Sequence, residues 1–199
     1  TQGVFFFNNT SGAWESNLNN PLDSGVGYII RSNNDLEFRG ALNFTSFSRM
    51  VYRSTKGYGW NLVGNPYTAM LDFSQMINEN IEPTFWLWQN ESGLYGTMNI
   101  ESEIFINLKT SYLPSNHAFF VKVKDGVEST SISFSPDYLT ANTTTYLKSS
   151  QVSKADQVKL AAVSSSGVED ETALAFISSA SEGIDKYDSE KYLGGSANV

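Results

Sequence analysis

Short runs of β-branched and aromatic residues, separated by turns rich in Gly, Asn and Ser, recur along the chain and limit what it can fold into. Long stretches with the 3.6-residue periodicity of helices are nearly absent. The pattern predicts an all-β fold, a β-sandwich of jelly-roll-like or Ig-like type. One segment, DFSQMINEN (72–80), predicts a short helix near 70–79, which Thr68 can cap. The predicted strands are 4–9, 27–32, 36–44, 49–54, 59–64, 84–89, 94–98, 104–108, 117–123, 131–135, 157–164 and 172–178, with 84–98 as a hairpin.

A segment rich in Ser and Thr, residues 139–155, divides these strands into two groups. We therefore expect residues 1–145 to form one β-sandwich module. Residues 146–199 then comprise a linker and the start of a second β-sandwich. Because two strands cannot form an independent domain, they either add to the first sandwich or open a second one that is incomplete here.

Composition and charge exclude several function classes. The chain has 21 acidic and 13 basic residues and a net charge of −8, which argues against binding to nucleic acid or to anionic membranes. It has no cysteine, so disulfides, thiolate metal sites and a cysteine nucleophile are excluded. Charged residues make up only 17%, and the neutral polar surface that this implies suits an extracellular β protein. The first residues, TQGVFFF, do not resemble a signal peptide, so we expect an internal or processed fragment.

The segment GWNLVGNPY (59–67) predicts a strand that ends in a stiffened corner. Pro66 restricts Asn65 to extended conformations, and the Asn65 side chain can bond to the backbone that follows it. Tyr67 is expected to turn back, with its ring on the core and its hydroxyl on a loop carbonyl. We predict structural roles for Trp60, Asn65, Pro66 and Tyr67, with Phe119 and Phe120 in the facing strand.

The segment GWNLVGNPYTAMLDF (59–73) is similar to one found in many surface and secreted proteins of the Bacteroidota, which the type IX secretion system exports. Two residues depart from what those proteins usually have. Thr68 stands where they have Pro-Ser, and His117 stands where they have Gln. Five further segments resemble the same proteins in the same order. These are NPLDSGVGYIIRS (20–32), LEFRGALN (36–43), FWLWQNESGLYGTM (85–98), LPSNHAFFVKVKDG (113–126) and VKLAAVSSSGVEDETALAFISSASEGIDKYDSEKYLGG (158–195).

This resemblance implies a location outside the cell, either secreted or attached to the outer face of the outer membrane. It implies the type IX secretion machinery and outer-membrane proteins as partners, through parts of the protein beyond this chain. A surface glycan or a host protein is a further candidate partner, which the resemblance does not itself imply. Those proteins run on through more strands, often to a C-terminal sorting domain, so the resemblance also implies that the second sandwich is incomplete here. It carries over no catalytic residue, because the shared segment occurs in proteins of diverse function.

Residues that could support hydrolysis are few. His117 is the one histidine, and no G-x-S-x-G motif accompanies it. A histidine at the start of a strand that bonds a backbone carbonyl is the alternative. Asp72, Glu79 and Glu82 flank the predicted helix and could act as paired carboxylates in glycoside cleavage. Solvated surface charge explains them equally well, so we expect no catalytic residue.

The acidic residues near the end of the sequence suggest a structural calcium site as an alternative to a chain without cofactors. Asp170, Asp185 and Asp188 are the candidate ligands, because calcium takes six to eight oxygen ligands from such loops. Their spacing matches no known calcium-binding repeat. A solvated acidic surface is the default interpretation.

Aromatic residues in the predicted hairpin suggest carbohydrate binding. Trp86 and Trp88 alternate with Phe85 and Leu87, so both Trp rings share one face of the strand, and Tyr95 follows in the next strand. If that face is exposed, the rings could stack on sugars; if it is covered, they belong to the core. The sequence therefore favours a non-catalytic extracellular module with an adhesive or spacer role, with carbohydrate binding as the alternative and hydrolysis third.

Overall fold

The computed structural model describes residues 3–17, 20–35, 37, 39–90, 92–108, 112–140 and 155–192. These residues form antiparallel sheets and two single-turn 3-10 helices, so the predicted all-β fold class is confirmed. Within those ranges, no helix is long and apolar enough to cross a membrane. In chain order the strands are β1 (Gly3–Asn8), β2 (Ala13–Ser16), β3 (Tyr28–Arg31), β4 (Phe47–Tyr52), β5 (Trp60–Gly64), β6 (Met70–Asp72), β7 (Thr84–Gln89), β8 (Leu94–Asn99), β9 (Ile104–Ile106), β10 (Tyr112–Leu113), β11 (Ala118–Lys122), β12 (Ser129–Phe134), β13 (Leu139–Thr140), β14 (Asp156–Val163) and β15 (Glu169–Phe176).

The chain divides into two compact units, each built from two separate stretches. Unit 1 comprises Thr1–Glu82 and Tyr112–Ala141, and unit 2 comprises Pro83–Ser111 and Asn142–Val199. The boundary predicted near residue 145 lies in a segment outside the described residues, so it stays a prediction. The strands that follow it, β14 and β15, group with β7, β8 and β9 in unit 2.

Unit 1 contains layers of antiparallel strands around an aromatic core. Its sheets are β2–β1–β3 and β10–β6–β13, and it also holds the pairs β4–β12 and β5–β11. The ring of Phe120 in β11 makes edge-to-face contacts with Phe7, Trp14 and Trp60, at centroid distances of 5.2, 6.0 and 5.9 Å. Phe119 points to the opposite face and contacts Phe73 at 6.0 Å. Both consecutive phenylalanines are buried because both faces of this strand are covered.

Unit 2 contains the predicted hairpin, which is confirmed. Strands β7 and β8 pair antiparallel from Thr84↔Asn99 to Gln89↔Leu94, and β9 pairs with the other edge of β8. Strand β8 is therefore the central strand of the three, and every residue of it is buried. The long strands β14 and β15 form a second hairpin.

Several local predictions are wrong. The expected strand 36–44 is absent from the described residues of that range, 37 and 39–44. The predicted helix near 70–79 is reduced to the 3-10 turn Phe73–Gln75, and Asp72 caps it where Thr68 was expected. The short strands β2, β6, β10 and β13 were not predicted, because two to four residues carry too little periodicity to be recognised.

Candidate functional site

The corner between β5 and β6 is held by the carboxamide of Asn65. This side chain is 5% exposed, and its Nδ2 donates to the carbonyl oxygens of Ala69 and Pro114, both at 2.9 Å. Its Oδ1 accepts from the backbone N–H of Tyr67 at 3.0 Å, as the sequence predicts for an Asn before Pro. Half-buried Pro66 lies between Asn65 and Tyr67, and its ring fixes the backbone of the turn. The Asn65 amide is therefore committed to backbone groups on both sides of the corner.

Tyr67 completes the corner from the core side, whereas Trp60 lies at the opposite end of β5. The ring of Tyr67 is 1% exposed, and its hydroxyl donates to the carbonyl oxygen of Thr45 at 2.9 Å, which is the predicted type of contact. Burial raises the pKa of the Tyr67 phenol, with a further contribution from Tyr138, so the hydroxyl stays protonated and can donate. Trp60 is buried as well, with the ammonium of Lys122 5.3 Å from its ring centroid.

Asn61, at the start of β5, is a structural residue that sequence reasoning missed. Its Oδ1 accepts from the Tyr52 backbone N–H at 3.1 Å, and its Nδ2 donates to the carbonyl oxygens of Tyr52 and Gly59, both at 2.8 Å. Gly59 has a φ of 87°, and a Cβ there would lie 2.4 Å from the carbonyl oxygen of Val123. The asparagine therefore holds the end of β4 against the start of β5, and the glycine leaves room for the backbone of Val123 beyond β11.

The predicted aromatic stripe is not a flat exposed surface. Trp86 is fully buried, and its Nε1 donates to the carbonyl oxygen of Glu190 at 2.8 Å. Trp88 is 41% exposed and contacts the edge of Tyr95 at 5.0 Å, and Tyr95 in turn contacts Tyr192 at 4.8 Å. Burial raises the pKa of the Tyr95 phenol above its ordinary value and that of Tyr192 to about 12. Trp88 alone of the three predicted sugar-binding residues presents ring surface to solvent.

Asn99, at the end of β8, binds the segment Asp185–Glu190, which we call the tail segment. Its Nδ2 lies 3.0 Å from the carbonyl oxygen of Lys186, 3.1 Å from that of Asp188 and 3.0 Å from the Ser189 hydroxyl. Its Oδ1 accepts from the backbone N–H groups of Glu101 and Ser102. The Thr84 hydroxyl also bonds the Ser189 hydroxyl, at 2.9 Å. These contacts explain why Trp86 is covered.

The three candidate calcium ligands are engaged in other contacts. Asp170 is 4% exposed, forms an ion pair with Lys191 and accepts from Asn107 Nδ2 at 2.8 Å. Burial by itself would raise the pKa of Asp170, but the bonds from Lys191 and Asn107 outweigh it and hold that pKa below its ordinary value.

The other two acids organise the tail segment. Asp185 accepts from the backbone N–H groups of Ser181 and Tyr187 at 2.6 and 2.9 Å, and these bonds lower the pKa of Asp185. Asp188 accepts from the N–H of Asp185 at 2.8 Å. Among the residues that the structure describes, no group of three His, Asp or Glu side chains is placed to hold a metal ion.

The residues considered for hydrolysis make structural contacts of their own. The exposed ring of His117 donates from Nδ1 to the carbonyl oxygen of Ser115 at 2.9 Å. Asp72 Oδ1 accepts from the N–H and the hydroxyl of Ser74, which caps the 3-10 turn. Glu82 lies 3.5 Å from the ammonium of Lys122. None of these contacts joins His117 to a carboxylate or one carboxylate to another.

No protein-family model, no curated protein and no solved structure matches this chain.

Proposed function

We propose that this chain is a non-catalytic β module of a secreted or cell-surface bacterial protein, with an adhesive or structural spacer role outside the cell. Export by the type IX secretion system, and association with outer-membrane components and with a surface glycan or host protein, are parts of the same proposal. The export and the association with outer-membrane components rest on the resemblance of the GWNLVGNPY segment and of the segments around it.

One observation carries the proposal: the chain's most unusual polar residues bind its own backbone. Asn65, Asn61 and Asn99 each hold a loop through several hydrogen bonds to backbone groups. A catalytic or ligand-binding amide needs donors or acceptors directed at a substrate, and these three amides are directed at loop peptides. Such an arrangement gives a rigid module, which is what a spacer or a display scaffold requires.

Carbohydrate binding receives less support than the sequence suggested. Stacking on a sugar requires an exposed ring face, and Trp86 is buried while its indole N–H is bonded to Glu190. Trp88 offers one partly exposed ring. A single ring of this kind is a weak basis for a sugar site, so we retain the adhesive or spacer role.

Cell-surface location is testable with an antibody against the purified chain. We expect the antibody to label intact cells of the source bacterium or to detect the chain in its culture medium. A strain without type IX secretion should lose both signals and retain the protein inside the cell. Labelling that requires permeabilised parent cells would contradict the proposal, and a cytoplasmic protein serves as the control for cell integrity.

A further inference from the structure

One face of the hairpin β7–β8 carries aromatic and polar side chains together. Residues directly opposite in an antiparallel pair share a face, and alternate pairs along the hairpin share the same one. This face, which we call the β7–β8 face, is formed by three such pairs: Thr84↔Asn99, Trp86↔Thr97 and Trp88↔Tyr95. Of these six side chains only that of Trp88 is exposed. The chain segment that covers the other five therefore decides what this face presents to solvent.

The tail segment crosses the β7–β8 face from its Asn99 end towards its Tyr95 end. Asn99 binds carbonyl groups in the first half of the segment, and Trp86 Nε1 binds the carbonyl oxygen of its last residue, Glu190. Just beyond the segment, the ring of Tyr192 contacts that of Tyr95 at 4.8 Å. The tail segment therefore lies along the face and closes it.

The tail segment is held at the surface of unit 2. None of its six residues is buried, and its bonds to Thr84, Trp86 and Asn99 are only partly buried. Every residue of β8, by contrast, is buried, and this strand has a partner strand on each side. Elements with few buried apolar contacts and partly exposed hydrogen bonds open at a lower free energy than buried strands do. The tail segment should therefore open more readily than β8.

The tail segment can move without unfolding its neighbours. Its turn is held by local bonds, because the Asp185 carboxylate accepts from the backbone N–H groups of Ser181 and Tyr187. The β14–β15 hairpin has a separate contact with the sheet, in which Lys159 donates from Nζ to the carbonyl oxygen of Phe105 in β9 at 2.8 Å. When the tail segment opens, this contact keeps the hairpin and the sheet together.

We propose that the tail segment is a strap that closes over the β7–β8 face and opens as one unit, with the ion pair between Lys191 and Asp170 as its latch. Opening releases Lys191 to solvent, while Asp170 keeps the bond from Asn107 Nδ2 at 2.8 Å. The open strap uncovers Trp86, two residues from Trp88 on the same face of β7. A face that presents one indole ring when closed then presents two, so the strap controls access to it.

Hydrogen exchange of the Trp86 indole N–H, followed by NMR in the full chain, tests the proposal. This N–H bonds the strap in the closed state, so it exchanges whenever the strap opens. We expect its protection against exchange to be at least about tenfold lower than that of the backbone amides of β8, which are released only when the sheet unfolds. Its exchange should also depend less on urea than theirs, because opening the strap exposes less surface.

A disulfide across the strap gives a direct comparison of closed and released states. The hydroxyl oxygens of Thr84 and Ser189 lie 2.9 Å apart and the chain has no cysteine, so Thr84→Cys with Ser189→Cys should form a disulfide on oxidation. Oxidation should slow the exchange of the Trp86 indole N–H by about tenfold or more, and reduction should reverse this. Ser48→Cys with Ser133→Cys is the matched control: the hydroxyl oxygens lie 3.2 Å apart across β4–β12, and this disulfide should leave the exchange unchanged.

Ser189→Ala tests the strap without an introduced disulfide. It removes the hydroxyl that bonds Thr84 and Asn99, so the Trp86 indole N–H should exchange about threefold to tenfold faster than in the parent. Ser178→Ala, at an exposed turn before the strap, is the matched control and should exchange like the parent. Circular dichroism checks that each variant folds.

Three results would overturn the proposal. One is a Trp86 indole N–H with the same protection and urea dependence as the amides of β8, because the strap then opens only when the sheet unfolds. Another is exchange that the Thr84–Ser189 disulfide leaves unchanged, or that the Ser48–Ser133 disulfide slows equally. The third is equal exchange in the Ser189→Ala and Ser178→Ala variants.

Discussion

Three buried asparagines, Asn61, Asn65 and Asn99, bond loop backbone in places where neither a strand nor a helix can satisfy it. An asparagine suits this task because one short side chain carries two donors and an acceptor in a fixed plane. A buried carbonyl oxygen without a donor costs about 1–3 kcal/mol, so each of these amides stabilises more than one backbone group.

Replacing Asn65 by Ala should lower the free energy of unfolding by about 2–5 kcal/mol. The substitution leaves the carbonyl oxygens of Ala69 and Pro114 and the N–H of Tyr67 without their partner in a buried corner. Chemical denaturation monitored by tryptophan fluorescence measures the loss. Asn33→Ala, at an exposed bend, is the matched control and should change stability by less than about 0.5 kcal/mol. An Asn65 variant as stable as the parent would show that the corner is not held by this amide.

How far the sequence predicts such residues depends on how local their contacts are. The bond between Asn65 and Tyr67 joins residues two apart and follows from the Asn-Pro dipeptide alone, so it was predicted. The partners of the Asn99 Nδ2 lie almost ninety residues further along the chain, and nothing near Asn99 in the sequence indicates them. The same distance explains Trp86: strand alternation could not show that the tail segment covers its ring.

At the scale of single elements, the tail segment has little apolar surface and is held by polar contacts. The ion pair between Lys191 and Asp170 fixes the chain just after the tail segment. Within the tail segment, Lys186 forms an ion pair with Glu101 at 2.8 Å. The Lys186 pair is exposed on both sides and is therefore weak, whereas the Asp170 carboxylate is almost fully buried. Acidification should consequently act on this element through Asp170.

Stability should fall in acid between the ordinary aspartate pKa of 3.8 and the lower pKa of Asp170 in the folded chain. The carboxylate of Asp170 binds a proton more tightly in the unfolded chain than in the folded one, so protonation favours unfolding. The stabilisation that this carboxylate gives the folded chain is fully present only above its unfolded pKa. Asp170→Asn should reduce the dependence of unfolding free energy on pH in this window. Part of it remains, because the pKa of Asp185 is lowered too. Denaturation curves at successive pH values measure it, and an unchanged slope in Asp170→Asn would contradict the prediction.

Elements were predicted well where their pattern was long. The hairpin β7–β8 has six residues in each strand and a compact turn, and its register follows from them. The 36–44 segment contains similar apolar residue types but also Gly40 and Asn43, and its described residues form no strand. Strand propensity is decided by the packing surface that a segment meets, and the sequence does not reveal that surface.

At the scale of the whole molecule, unit 2 joins stretches that are far apart in sequence. Residues 83–111 supply three strands, and the stretch after residue 155 supplies a hairpin and the tail segment that covers them. The sequence predicted residues 1–145 as one module and left open whether the strands that follow add to it. Within unit 2, however, Thr84, Trp86 and Asn99 bind partners that lie beyond that limit.

A chain truncated after residue 145 should therefore be unstable in β7 and β8. Thr84, Trp86 and Asn99 lose their partners in Ser189 and Glu190, each at a cost of about 1–3 kcal/mol, and the Trp86 ring becomes exposed. Hydrogen exchange should be much faster across 84–99 in the 1–145 chain than in the full chain. A chain ending at residue 192 is the control and should keep parent-like protection. Parent-like protection of 84–99 in the 1–145 chain would instead support the predicted module.

The discontinuity of unit 2 has a consequence for biosynthesis. The tail segment leaves the ribosome about eighty residues after β9, which is several seconds later at about 5–20 residues per second. During that interval the indole of Trp86 and the amide of Asn99 are without the peptide groups that cover them. Strands β7 and β8 therefore reach their final packing only after nearly the whole chain has been synthesised.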